Sequence, residues 1–413
     1  MTGATRGGFE GLDACVHCGF CLQACPTFLA TGDESDSPRG RIELMRGLER
    51  GDIAATDPAL VYHLDRCLGC RGCEPVCPSG VQYGHGLEAA RSRITAVRGV
   101  SRLARLALWA LTTAGVSEVV YWFARRLRSV LPRGIAGWGR LRFAMGMLVA
   151  TKAGGRRRAT PTAPYRPVPP LTAQIFRGCV MQGLFSHVHD ATIRTLGVNG
   201  YQVSEVSGQV CCGALHAHGG LLDEARALAS ANVAAFGDGD EPIVVNSAGC
   251  GALMKEYGRL LGNERAERFG ARVRDVTELL AGDGMKGPIA GAPLDLHVAY
   301  DPPCHLLHAQ RIAVQPLKLF AAIPLLELVS VEGAAECCGS AGLFTLLEPE
   351  MSRAVLQPKL ERLRAAAPQV VATGNPGCLM QLGAGLAAAR IPARVRHPVE
   401  LLDDAYRAAG RYE

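Results

Sequence analysis

Cys15, Cys18, Cys21 and Cys25 are followed by Pro26, and Cys67, Cys70, Cys73 and Cys77 by Pro78. The spacing C-x2-C-x2-C-x3-C-P thus occurs twice, and four thiols within eleven residues constrain the fold more than any other feature of the chain. Thiolates are soft metal ligands, and the proline ends the local backbone where the fourth cysteine must turn away. Structural zinc fits poorly, because zinc knuckles use two separated cysteine pairs rather than a repeated run of four.

The spacing is that of bacterial ferredoxins, in which three close thiolates hold one [4Fe–4S] cluster and the fourth reaches across to the other. On that pattern Cys15, Cys18, Cys21 and Cys77 hold a first cluster, and Cys67, Cys70, Cys73 and Cys25 a second. The 41 residues between the runs leave room for helices. Ser37 and Pro38 followed by Ile42, Met45 and Leu48 predict an N-capped helix ending near Gly51. A helical two-cluster domain is expected over residues 1–100.

The other eight cysteines form two matching sets. Cys179, Cys211, Cys212 and Cys250 are separated by 32, 1 and 38 residues, and Cys304, Cys337, Cys338 and Cys378 by 33, 1 and 40. This is a duplication. Each set follows short apolar runs that read as strands: 173–176, 201–206 and 243–245, then 296–300, 325–331 and 370–372. Helical stretches such as 221–236 lie between them, so two pseudo-symmetric α/β cysteine-rich domains are expected, over 172–290 and 291–413, with each set gathered beyond the carboxyl ends of parallel strands. Gly213 and Gly339 let the backbone turn tightly after the paired cysteines. These third and fourth sites suit an iron–sulfur cluster first, with zinc or an empty site next and a thiol redox pair last. His187, His189, His216, His218, His305 and His308 lie near them in sequence, as outer-sphere donors, alternative ligands or helix-terminal polar groups.

Charge is unevenly distributed. Residues 91–158 hold fourteen Arg and one Lys against Glu118 alone, so a net charge of +6 divides into +14 there and −8 elsewhere. Trp109, Trp122 and Trp138 lie in the same stretch. Apolar residues at helical spacing predict two short helices separated at Gly115, with Ser117 as an N-cap. The longest charge-free run, Leu106–Ser117, is twelve residues, short of the roughly 18 that a spanning helix needs. A basic amphipathic segment over 101–158 suits the headgroup interface of an anionic membrane, or a partner subunit. No nucleic-acid motif accompanies it. Residues 159–171 contain five prolines and read as an extended linker.

With 413 residues, 48% hydrophobic and 20% charged, the chain has the composition of a folded protein of two to three domains, which excludes disorder and fibre. The start, MTGATRGGFEG, lacks the apolar core of a secretory signal, so a reducing cytoplasm without structural disulfides is expected. The one G-x-G-x-x-G, at Gly282, Gly284 and Gly287, follows a helix-like run and meets Pro288, the wrong context for a dinucleotide fingerprint. Without a P-loop, G-x-S-x-G or H-E-x-x-H, no catalytic residue is assigned, and the chain reads as an electron carrier.

The motifs C-V-H-C-G-F-C-L-Q-A-C-P-T, Asp36–Ile42 (D-S-P-R-G-R-I) and His63–Val81 resemble those of the glycolate oxidase iron–sulfur subunit, and the two C-C-G motifs and T-G-N-P-G-C at Thr373–Cys378 extend the likeness over almost the whole chain. The resemblance implies a partner subunit carrying FAD that oxidises glycolate or a related 2-hydroxy acid, with electrons passing through the [4Fe–4S] clusters to the quinone pool. It implies peripheral attachment to the inner face of the cell membrane, with no substrate oxidation by the isolated chain. The wider family includes the iron–sulfur subunit of anaerobic glycerol-3-phosphate dehydrogenase, lactate-utilisation proteins and heterodisulfide reductase, whose C-C-G domains reduce a disulfide and end in C-x-x-C. Here Ser247 and Asn375 stand at the first position of that final pair, which weakens disulfide reduction as the alternative activity.

Overall fold

The computed structural model describes residues 7–152, 171–282 and 287–412. Two compact units form, and neither is contiguous in sequence: residues 7–108 join 213–225 and 336–359, and the other described residues make the second. The loops that follow both cysteine pairs therefore belong to the first unit.

In the first unit the helix Pro38–Arg50 starts as its sequence predicts, with Ser37 Oγ accepting the Gly40 N–H at 3.0 Å, and it ends at Gly51. Asp57 caps the next helix, Pro58–Asp65, through the Ala59 and Leu60 N–H groups. Their apolar faces and the helix Tyr83–Arg98 enclose a core of Phe9, Leu12, Ile42, Met45, Leu60, Leu64, Leu87 and Ile94. Burying these side chains supplies the main driving force for this small helical unit.

The second unit contains two four-stranded parallel sheets. Strands β1 (Leu171–Phe176), β2 (Tyr201–Glu205), β3 (Ile243–Val245) and β4 (Val273–Asp275) run in the order β2-β1-β3-β4. Strands β5 (Leu296–Tyr300), β6 (Leu326–Leu328), β7 (Val370–Ala372) and β8 (Arg394–Arg396) repeat it as β6-β5-β7-β8. Equivalent registers, Leu171 with Tyr201 and Leu296 with Leu326, make the duplication structural. Because both faces of a parallel sheet are covered by helices, the central strands β3 and β7, Ile243–Val245 and Val370–Ala372, are wholly apolar.

The basic stretch forms three helices, Arg102–Thr112, Val116–Val130 and Arg140–Ala150. Gly115, not Ser117, is the N-cap of the second; Ser117 lies inside the helix with its N–H bonded to the Thr113 carbonyl at 2.9 Å, because the chain re-enters helix two residues earlier than the serine suggests. The third packs on the helix Pro376–Ala388, where Gly146 and Gly383 meet Ala384 and Ala150 closely. No single helix among the described residues is long and apolar enough to cross a membrane; the first two of the stretch reach that length only together, across a bent break. Of the proline-rich linker, residues 159–170 lie outside the described residues, as does Gly284.

Candidate functional site

None of the sixteen cysteines forms a disulfide. In each N-terminal run the residues flanking the second cysteine take positive φ: His17 and Gly19 at 58° and 85°, Gly69 and Arg71 at 60–61°. Alternating left-handed residues curl a loop around a centre and turn its N–H groups inward, and the Gly69 N–H duly points at Cys67 Sγ, 3.4 Å away. Cys15, Cys18 and Cys21 line one cavity together with Cys77 from the other run; Cys73 and Tyr83 also face it. Cys73 in turn lies in the field of Cys70, Cys67 and Cys25, and burial first, then Cys70, Cys67, the Glu74 carboxylate and Cys25, push its pKa up. The fourth cysteine of each run thus lies near thiols of the other run. Eight gathered thiols are a donor set that suits iron–sulfur clusters.

Beside the second group sits a buried polar network that the sequence reading assigned no role. The Arg41 side chain donates to Asp36 Oδ1 at 3.0 Å, to the Asp36 carbonyl, to Thr27 Oγ1 at 2.9 Å and to the His63 carbonyl at 2.7 Å. Its Nη1 is 4.0 Å from Cys25 Sγ. Burial opposes its charge, yet Cys67, Tyr83, Cys25 and Asp36 together hold its pKa above the ordinary value. Asp36 also faces Arg66 at 3.1 Å and His63 at 3.0 Å. The Tyr83 hydroxyl donates to Cys67 Sγ at 3.5 Å. The only sequence trace was that Asp36, Arg41, His63 and Arg66 fall inside the two motifs that carry the family likeness. Cys70 is hydrogen-bonded by the Cys337 thiol, which holds its pKa down; Cys337 thus belongs to the same unit.

In the second unit the first cysteine set converges beyond β1, β2 and β3. The Cys179 thiol lies 3.6 Å from Cys211 Sγ, and Cys212 bonds to both Cys211 and Cys250, contacts that with burial raise the pKa of Cys179 and Cys212. Asn232 donates to the Cys211 carbonyl at 3.0 Å and Tyr257 to the Cys212 carbonyl at 2.8 Å, pinning the paired cysteines. Tyr121, from the basic stretch, is packed on Gly183 and bonded to Cys179. The following residues hold φ of 86° at Gly213 and 81° at Gly339, and a Cβ on Gly339 would lie 2.5 Å from the Ser352 carbonyl oxygen, so glycine is required there.

The second set is divided between the units, Cys304 and Cys378 in one and Cys337 and Cys338 in the other. Asn375 Nδ2 donates to Cys378 Sγ at 3.7 Å, and Cys304 Sγ lies 3.5 Å from His305 Nδ1. Of the other histidines, His189 bonds the Arg177 carbonyl and Asn246 and is pushed down to about 3 by burial, a structural role. His187 and His218 face Glu400 and Glu88.

Comparison with known proteins agrees with this geometry. A 4Fe-4S dicluster domain profile matches residues 11–81, and a cysteine-rich domain profile matches 173–255 and 298–383. The probable glycolate oxidase iron-sulfur subunit of Bacillus subtilis (strain 168) is 33% identical over 96% of this chain and 94% of its own length, and the glycolate oxidase iron-sulfur subunit of Escherichia coli (strain K12) 32% over 95% and 94%. One subunit of the fumarate reductase (CoM/CoB) of Methanothermobacter marburgensis is 33% identical over 56% of this chain and 46% of its own. The dicluster and cysteine-rich domains make iron–sulfur clusters the cofactor class, and full-length likeness places the chain in the glycolate oxidase iron–sulfur subunit family, whose members serve an oxidoreductase complex.

Proposed function

We propose that this chain carries electrons from an FAD-bearing partner subunit, which oxidises glycolate or a related 2-hydroxy acid, toward membrane quinone. Cys15, Cys18, Cys21 and Cys77 hold a first [4Fe–4S] cluster, and Cys67, Cys70, Cys73 and Cys25 a second. The observation that carries this reading is that Cys77 lines one cavity with Cys15, Cys18 and Cys21, while Cys25 lies in the field of Cys73. Each bound cluster accepts one electron at a time, so a pair suits emptying a two-electron flavin stepwise. The chain's own residues wrap, shield and polarise those clusters. Cys179, Cys211, Cys212 and Cys250 form a further four-thiol site for an iron–sulfur cluster, with zinc as the competing occupant.

The chain works at the inner face of the cell membrane. The Val116–Val130 helix supports this with its two faces. Tyr121 is buried, and Arg125 and Arg128 donate to the Gly183 and Leu184 carbonyls at 2.8 Å. Val119, Trp122, Phe123 and Val130 lie outside, 46–76% exposed, with Arg126 over the Trp122 ring at 5.2 Å. An apolar face with tryptophan and arginine suits the headgroup boundary.

The route is tested with Cys70→Ala. The variant is expected to lose one cubane signal in electron paramagnetic resonance and electron delivery to quinone, while the flavin subunit still reduces a dye. Quinone reduction at the wild-type rate would sink it.

A further inference from the structure

Reducing a thiolate-bound [4Fe–4S] cluster adds negative charge, and burial makes that harder because water no longer solvates it. The second thiol group meets this difficulty more than the first: three of its four cysteines, Cys25, Cys67 and Cys73, are buried and Cys70 is partly exposed, whereas Cys15, Cys18, Cys21 and Cys77 are all partly or fully exposed. A compensating charge lies beside the buried group. Arg41 and Asp36 are 1% and 0% exposed, and Asp36 is shared by Arg41 and Arg66, so the carboxylate does not cancel Arg41 alone. Cys25 Sγ lies 4.0 Å from Arg41 Nη1, and Cys67 also lies in the field of Arg41. On the other side, the buried Tyr83 hydroxyl and the Gly69 N–H both point at Cys67 Sγ, at 3.5 and 3.4 Å. Around the exposed group, by contrast, Arg39 and Arg46 are matched by Glu34 and Glu43 at 2.6 and 2.8 Å.

We propose that Arg41 and Tyr83 raise the reduction potential of the cluster held by Cys67, Cys70, Cys73 and Cys25, so that a buried centre stays reducible by a flavin. This rests on the ligand assignment proposed above. Net charge and hydrogen bonds to sulfur are the levers by which a protein sets cluster potential. Arg41 and Tyr83 supply one of each to adjacent ligands, and neither touches the reacting substrate. They are positioning residues, acting through Cys25 and Cys67. The step they favour is transfer of a single electron from the partner's reduced flavin to the cluster, with no bond made or broken in this chain.

The experiment is a redox titration of the anaerobically purified full chain, followed by electron paramagnetic resonance at matched iron content. Arg41→Met keeps the apolar stem, and Asp36 retains Arg66 and His63. It should lower one midpoint by the equivalent of about tenfold or more in the reduced-to-oxidised ratio, about 59 mV for a one-electron couple, and leave the other in place. Arg41→Lys should restore most of the shift. Tyr83→Phe should lower the same midpoint by a smaller amount, and it decides the matter if Arg41→Met loses iron. A merely structural role would move neither midpoint, and unchanged midpoints in Tyr83→Phe, or equal shifts of both clusters in Arg41→Met, overturn the inference. Cys70→Ala separates the two layers of the argument. If it removes neither signal, the ligand assignment fails; if it removes one and Tyr83→Phe shifts the other, the assignment stands and the role of Arg41 and Tyr83 falls.

Discussion

Ser247 Oγ donates to Asn375 Oδ1 at 3.3 Å, so the two residues that occupy equivalent places in the two repeats meet each other. The same Asn375 oxygen accepts the Gly249 N–H at 3.3 Å, and the Ala248 N–H bonds the Gly374 carbonyl at 3.1 Å. The duplicated sheets are therefore tied at corresponding loops, beside Cys250 of one set and Cys378 of the other. A fifth thiolate at these places would serve a larger cluster; here hydroxyl and amide serve the contact between repeats.

Asn375→Ala should weaken that tie without touching the N-terminal clusters. It leaves a donor at the start of the Ala248–Lys255 helix without its partner, which costs about 1–2 kcal/mol. Thermal unfolding is expected a few degrees lower, with both cubane signals at wild-type intensity. Loss of a cubane signal instead would show that Asn375 acts on the clusters and not on the repeat contact.

Trp122→Glu combined with Phe123→Glu should abolish attachment to vesicles of anionic lipid while leaving the fold intact, since both side chains point away from the helices they adjoin. Exposed aromatic side chains of this size contribute about 1.5–3 kcal/mol each when buried, so at least about a tenfold fall in partitioning is expected by sedimentation. Arg125 and Arg128 are spent on carbonyls of their own unit, which leaves Arg126 as the outward cation on this helix. Wild-type partitioning by the double variant would assign the exposed face to some other contact.

Much of this was legible in local pattern. Cysteine spacing anticipated the two groups, and six of the eight strands stand as apolar runs before a cysteine. β4 and β8 did not, because Val273-Arg274-Asp275 and Arg394-Val395-Arg396 carry charges that mask a three-residue strand. The buried network was illegible for a different reason. Arg41 and Asp36 look like surface residues of a polar helix, and only the long-range approach of His63 and Arg66 shows that they are paired inside. The assignment of the residues that follow both cysteine pairs to the N-terminal unit is likewise a tertiary fact that no spacing encodes.

Acid should loosen the second unit through His189. Its pKa falls from 6.5 to about 3 on folding, chiefly through burial, so between those values the unfolded chain binds the proton that the folded chain refuses. Stability therefore falls as pH drops below 6.5, by about 1.4 kcal/mol per unit and about 2 kcal/mol by pH 5. His397, lowered to about 4, acts in the same direction. Urea unfolding followed by tryptophan fluorescence at pH 7 and pH 5 should show this loss, and His189→Gln should lose clearly less. An equal loss in that variant would place the acid sensitivity elsewhere.

The contact of Cys179 with Cys211, and of Cys212 with Cys211 and Cys250, decides what metal analysis should find. Two cubanes account for about eight irons per chain. If the first cysteine-rich set holds a cluster, anaerobically purified protein contains more than that, and Cys212→Ser removes the surplus together with its magnetic signal while leaving the N-terminal pair. Backbone tethers from Asn232 and Tyr257 use the carbonyls of Cys211 and Cys212, not their sulfurs, so a serine at 212 keeps the loop in place. About eight irons with one zinc lost in the variant would make the site a structural zinc centre. Identical iron and zinc contents in wild type and Cys212→Ser would leave these thiols without metal and confine electron transfer to the N-terminal clusters.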